Sequence, residues 1–249
     1  MNTLYSQWKK EEQAPFSGWD FSYIKKRIKK EHPSWNYKKR ARALIKKAES
    51  VLDMGTGGGE FFSTLAPFPK HTIATETWPP NVPIAKKRLK PLGVEVIKIN
   101  SQKRLPFHDE EFDLVLNHHS AYDATEVFRI TKKGGVFLTQ QVAGDNLKDL
   151  KKEFNAKPKF KNWKLKKAKR ELENVGFKIK EAKKWSGKIE FKDVGAIVYY
   201  LKAIPWLVEN FSVDNHLSVL KKLQKRIDKG EKLIFTETRF FILAEKINS

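Results

Sequence analysis

An acid followed by three alternating glycines, in Asp53-Met54-Gly55-Thr56-Gly57-Gly58-Gly59-Glu60, closes the apolar run Val51-Leu52. Glycine has no side chain and tolerates positive φ, so such a turn lets a small ligand lie directly against the backbone. Charge then selects the ligand. A dinucleotide site wants glycine at the first, third and sixth turn positions, with pyrophosphate on the following helix. Gly55 and Gly57 fit, but the sixth position is Glu60. Acids at Asp53 and Glu60 repel a pyrophosphate and suit a phosphate-free ligand that carries cations. The run His71–Glu76 ends in another acid, at about the distance where α/β folds place a ribose-binding carboxylate. Glu76 can accept two hydrogen bonds from a diol.

A second constellation follows the run Glu111–Asn117, in the order Asn117-His118-His119-Ser120-Ala121-Tyr122-Asp123. Ligands in open α/β sheets bind beyond the carboxyl ends of the strands, so these side chains are expected to line a substrate pocket. A histidine of near-neutral pKa can take a proton from an oxygen or nitrogen nucleophile. Neighbouring histidines point differently, and with no cysteine and no close third ligand no metal is expected.

The glycine turn resembles motif I of the class I S-adenosylmethionine-dependent methyltransferases, and S-adenosylmethionine carries a sulfonium and an ammonium but no phosphate. The resemblance is specific over about residues 50–142; the flanks resemble bacterial methyltransferase-domain proteins of unassigned substrate. It implies that Gly55, Gly57 and Gly59 let the cofactor approach, that Asp53 and Thr56 meet its amino-acid part, and that Glu76, with Thr77, meets the ribose. It places the adenine side at Asn100, where the family usually has Asp, so Ser101 and Gln102 are equal candidates. Asn117 and His118 complete the expected cofactor contacts. The resemblance favours His119 over His118 as base, because such relatives keep a His-x-x-Tyr-Asp arrangement, here His119 to Asp123. Tyr122 is the second candidate catalytic side chain. Aligning donor and acceptor already removes much of the barrier to methyl transfer, so a base is optional.

The elements that must position these residues are legible as alternating strands and helices. Strands are expected at 51–53, 71–76, 94–100, 111–117, 136–142, 177–185 and 236–246, and helices at 37–48, 124–131, 146–154, 164–174 and 214–229. Gly134 or Gly135 is expected to cap the helix before the fifth strand. The implied fold is α/β: a Rossmann-like, seven-stranded, mostly parallel sheet with helices on both faces and an antiparallel last strand. Residues 1–40 form an expected helical extension or lid, rich in aromatics such as Trp19, Phe21 and Tyr23, with a short helix at 22–30. Residues 41–249 form the methyltransferase domain, with a helical insertion at about 193–230 before the last strand. Within it, 193–206 is apolar almost all round, so it must be covered.

Composition narrows the function. The chain of 249 residues has no cysteine, which excludes disulfides, cysteine nucleophiles and iron–sulfur chemistry by this chain alone. No apolar stretch approaches bilayer length and the N-terminus is too polar for a secretory signal, so a cytoplasmic protein without membrane partners is expected. The net charge of +21 invites a nucleic-acid reading. Yet 41 lysines stand against 9 arginines and recur around the chain, whereas phosphate and base-edge recognition lean on the guanidinium fork. The sequence therefore predicts methyl transfer from S-adenosylmethionine, leaving S-adenosylhomocysteine, to an oxygen or nitrogen of a small molecule. An RNA methyltransferase, a non-catalytic cofactor-binding protein and an NAD-dependent oxidoreductase are the alternatives. The sequence does not set the oligomeric state.

Overall fold

A computed structural model describes residues 3–101 and 104–247. In chain order the elements are α1 (Thr3–Gln13), a 3-10 turn (Ser22–Arg27), β1 (Ile28–Lys30), α2 (Tyr37–Ile45), β2 (Ser50–Met54), α3 (Glu60–Ser63), β3 (His71–Glu76) and α4 (Asn81–Leu89). There follow β4 (Glu95–Lys98), β5 (Phe112–His118), α5 (Ala124–Ile130), β6 (Thr131–Val142), α6 (Lys148–Glu153), α7 (Leu165–Asn174), β7 (Phe177–Phe191), α8 (Val194–Ala203), α9 (Leu217–Asp228) and β8 (Leu233–Lys246).

The sheet runs in the order β1-β7-β8-β6-β5-β2-β3-β4. Strands β2 to β6 pair in parallel, and β8 is antiparallel to both β6 and β7. All five residues of β2 are buried, as a central parallel strand covered by helices on both faces requires. One face packs on α2 and α4 through Ile45, Ala85 and Leu89, and the other on α5 and α7 through Val127 and Leu172. Crossing from β2 to β3 and to β5 in opposite directions opens a crevice at the carboxyl ends of these strands.

The seven expected strands are present, and an eighth is added. Residues 28–30, read from sequence as the end of a helix, form β1, pairing Ile28 with Phe191 and Lys30 with Ile189. The reason is tertiary: β7 and β8 run on past the rest of the sheet, and the edge of β7 offers an unpaired ladder. The glycine after α5 also acts differently from expectation. The helix ends at Thr131, which is extended and whose hydroxyl donates to Val127 O at 2.6 Å. Gly134, at φ +74°, instead shapes the turn into β6, over which the pairing with β5 jumps from Phe112–Thr131 to Leu114–Val136.

The N-terminal segment and the insertion form one lobe. Nine of the ten residues of α8 are buried, as an all-apolar helix demands. They share a core with Trp8 of α1, Ile24, and Leu220 and Leu223 of α9. Arg27 ties the lobe together, donating to Asp193 Oδ2 at 2.9 Å and Oδ1 at 2.5 Å and to Glu11 Oε1 at 2.8 Å. Asp193 also caps α8, accepting the Ala196 N–H at 2.8 Å. Its partial burial acts to raise its carboxyl pKa, but Arg27 and the capping amides outweigh that and hold it below the ordinary value. Asp193→Ala is expected to cost about 1 to 2 kcal/mol in denaturant unfolding at pH 7, from the lost cap and ion pair. The wild-type advantage should vanish as pH falls through the depressed carboxyl pKa; a difference that persists unchanged at pH 2.5 would exclude this origin.

Candidate functional site

The glycine turn leaves the end of β2 with Gly55, Gly57 and Gly59 all left-handed, at φ +68°, +64° and +78°. Its backbone is fastened to β3, Thr56 N donating to Thr75 O at 2.9 Å, and the Arg88 guanidinium of α4 holds Gly58 O and Glu60. No larger residue fits at two of them: a Cβ at Gly55 would lie 2.1 Å from Ser120 Oγ, and one at Gly59 2.9 Å from Leu89 Cγ.

Two acids flank this cradle on neighbouring parallel strands. Asp53 is paired in register with Ala74, two residues before Glu76, and each acid is 5 % exposed. Burial, reinforced by the charge of Glu76, raises the Asp53 carboxyl to about 7. Asp53 forms no ion pair among the described residues. Glu76 turns one oxygen inward, Oε1 accepting the N–H groups of Thr77 and Trp78 at 2.7 Å each. Its other oxygen has no hydrogen bond among the described residues. Asn117 Nδ2 is likewise buried without a partner among the described residues. Such atoms are costly unless something pairs with them. Asn117 sits beside Met54 on β5, its Oδ1 held by Gln141 Nε2 at 2.6 Å.

Asn100 and Ser101 lie exposed beyond β4, in the loop fixed downstream by Arg129, which donates to Leu105 O, Phe107 O and Asp109. Gln102 lies outside the described residues.

His118 and His119 stack on each other at 4.0 Å, and His118 stacks on Phe61 at 4.1 Å. Gln140 Nε2 lies 3.0 Å from Nε2 of His118 and 2.9 Å from Nε2 of His119, while its Oε1 accepts Trp35 Nε1 at 2.6 Å. An amide that spends both protons on the two imidazoles assigns each Nε2 as an acceptor. Burial lowers His118 to about 3, with Arg239 adding to the effect. Burial, His118, Arg239 and Lys30 push His119 well below its ordinary value. Both rings are therefore neutral at pH 7, and His119 is a weaker base than its type alone implies. His119 adopts φ +70°, which turns it out of the strand.

Tyr122 faces away from this pair. Its ring meets Phe137 at 5.0 Å and Trp163 at 5.6 Å on the α5 and α7 side, its hydroxyl is buried without a partner among the described residues, and burial pushes its pKa up. The structure thus gathers Asp53, Gly55, Thr56, Gly57, Gly59, Glu76, Thr77 and Asn117 around one crevice and sets His119 and Tyr122 on different walls. Among the described residues no cluster of His, Asp and Glu could hold a metal ion.

Further residues border the site. Trp78, 62 % exposed, stands two residues beyond Glu76, a spacing that could have marked it as a flat face beside the ribose acid. Trp19 packs over the turn, its Cβ 3.5 Å from a Cβ built on Gly57, and stacks on Trp206 of the insertion at 5.8 Å. Arg239 and Lys30, joined through Glu237, bring positive charge beside the histidines.

Residues 52–139 match the family model described as "Methyltransferase domain". The match spans the strands, turn and acids just described. No curated protein sequence matches the chain. Among solved structures, the chain is similar to a candidate methyltransferase from Bacillus halodurans, at 19 % identity and TM-score 0.61, over 84 % of this chain and 100 % of that one. It is similar to an S-adenosylmethionine-dependent methyltransferase from Aquifex aeolicus at 16 % identity and TM-score 0.52, over 98 % of both chains. The [4+2]-cyclase SpnF shares the fold at 14 % identity and TM-score 0.54, over 85 % of this chain and 82 % of that one.

Proposed function

We propose that the chain transfers the methyl group of S-adenosylmethionine to an oxygen or nitrogen nucleophile of a small molecule. The observation that carries this reading is the bare left-handed cradle beside two buried acids at the ends of adjacent parallel strands. A cationic nucleoside without phosphate satisfies all three features at once. Bound there, the cofactor would supply an electrophilic methyl carbon for in-line attack by the acceptor's lone pair, with S-adenosylhomocysteine as the leaving group.

The remaining work falls to the protein. Asp53 and Thr56 hold the ligand's amino-acid part, and Asn117 Nδ2 gains a partner at the crevice floor. The free oxygen of Glu76 takes the ribose hydroxyls, with Trp78 against the base and Asn100 and Ser101 at its edge. The 1–40 segment acts as a lid through Trp19, closed against Trp206, and excludes water from the reacting atoms. The small acceptor is supported by this cover, with Trp19 lying against the turn itself. His119, neutral and held by Gln140, orients the acceptor or accepts its proton weakly; alignment carries most of the rate.

Calorimetric titration with S-adenosylhomocysteine is expected to show one site per chain, and absence of binding by the folded protein would end this reading. The raised Asp53 carboxyl adds a pH signature. A ligand ammonium beside it favours the ionised acid, so binding releases a proton wherever Asp53 is protonated in the free protein. Affinity should rise with pH below 7, by up to about tenfold per unit, and level off above. Asp53→Asn should flatten that profile. Labelled methyl transfer to fractionated small molecules, RNA and protein then identifies the acceptor class.

A further inference from the structure

A cavity of about 730 Å³ lies at the carboxyl end of β6, between α6, the 155–164 loop and the part of β8 around Thr236 and Thr238. Five lysines line it, Lys148, Lys151, Lys152, Lys161 and Lys164, against two aspartates, Asp145 and Asp149. The aspartates are already engaged: Asp149 accepts the Leu150 and Thr236 N–H groups at 2.9 and 2.8 Å, and Asp145 the Thr238 hydroxyl at 2.8 Å, with Lys184 at 4.0 Å. None of the five lysines forms an ion pair among the described residues. Lys151 is the most covered of the five, 8 % exposed, with Asp145 as its charged neighbour. Five lysines around one hollow, against two aspartates already engaged, leave a net positive site that an anion neutralises.

The cavity lies beyond the end of β6, the strand next to β5 in the sheet. Gly144 lets the 155–164 loop close over it, since a Cβ there would lie 2.0 Å from Phe160 O. Gln141, at the end of β6, ties that loop to the β5 exit: its Nε2 donates to Asn117 Oδ1 and Ser120 O, at 2.6 and 2.9 Å, and its Oε1 accepts Trp163 Nε1 at 3.4 Å. We propose that this cavity binds a small molecule bearing at least two negative charges on phosphate or carboxylate groups, and that this molecule is the methyl acceptor. Ammonium groups act as point charges that suit either oxyanion, without the planar fork a guanidinium would impose. The acceptor role rests on the proposed methyl transfer, whereas the anion site stands without it.

The full chain is titrated calorimetrically with inorganic pyrophosphate and, separately, with citrate. Binding of either, weakening as salt rises, is expected, and the tighter of the two fixes the oxyanion. Lys151→Met should weaken it at least tenfold and Lys148→Gln/Lys152→Gln, on exposed positions that leave the fold intact, at least threefold. Affinity for S-adenosylhomocysteine should stay within twofold in both variants. Failure of both anions to bind overturns the site, as does binding that neither variant weakens. An oligoribonucleotide whose affinity grows with length and which neither small anion displaces would overturn it in favour of a nucleic-acid surface. If the anions bind but S-adenosylhomocysteine does not, the site stands and the methyl-transfer reading falls.

Discussion

Gly55→Ala is expected to abolish measurable binding of S-adenosylhomocysteine and to destabilise the protein by about 2 to 4 kcal/mol, the sum of a left-handed alanine and an overpacked contact. Both contributions are visible at the position. Its φ is +68°, and an added methyl would fall 2.1 Å from Ser120 Oγ and 2.5 Å from Ser120 Cβ. Relief requires either the turn or the β5 exit loop to move, and both border the crevice. Ser120→Gly removes the collision but leaves the backbone strain, so the double variant should recover roughly half the lost stability. Chemical denaturation and calorimetry measure the two effects separately. Affinity within threefold of wild type in the folded Gly55→Ala protein would remove the turn from the ligand site.

Glu76→Ala carries the second large effect, a loss of about a hundredfold in affinity for the same ligand. A hydrogen bond to a charged group contributes about 1.5 to 3 kcal/mol, so two bonds from a ribose diol give about 3 kcal/mol or more. The inner oxygen of Glu76 is occupied by the Thr77 and Trp78 amides, which fixes the carboxylate and leaves the outer oxygen for the ligand. Alanine also frees those amides and with them Trp78. Glu76→Gln keeps an acceptor for the amides while losing the charge, and should cost only about tenfold. Equal affinities for wild type and both variants would exclude Glu76 from the site.

The parallel half of the sheet was legible because its signals are local: buried apolar runs, a glycine turn, and an acid at each of two strand ends. Asp53, Gly55, Gly57, Gly59 and Glu76 come together as that pattern implies. What the sequence hid depends on contacts distant along the chain. The short β1 exists because β7 overhangs the sheet, and no property of Ile28–Lys30 alone distinguishes it from the end of a helix. The histidines were read by residue type, whereas their basicity follows from burial and from Arg239, 121 positions beyond His118 in a strand that returns beside β6. Tyr122 enters through the resemblance to a His-x-x-Tyr-Asp arrangement, which gives spacing and not direction. One turn of backbone, with His119 at positive φ, sends the two to opposite walls.

The docking of α1 on α8 sets an order of assembly. Tyr5 reaches across 209 positions to hydrogen-bond Asp214 at 2.6 Å, and the first helix has no apolar surface to rest on until that distant stretch has left the ribosome. Closing so long a loop is slow and comes after local contacts form. During synthesis the parallel half of the sheet, β2 to β6, is therefore expected to consolidate first as an uncapped core, and α1 to dock only after α8 and the stretch around Asp214 have followed.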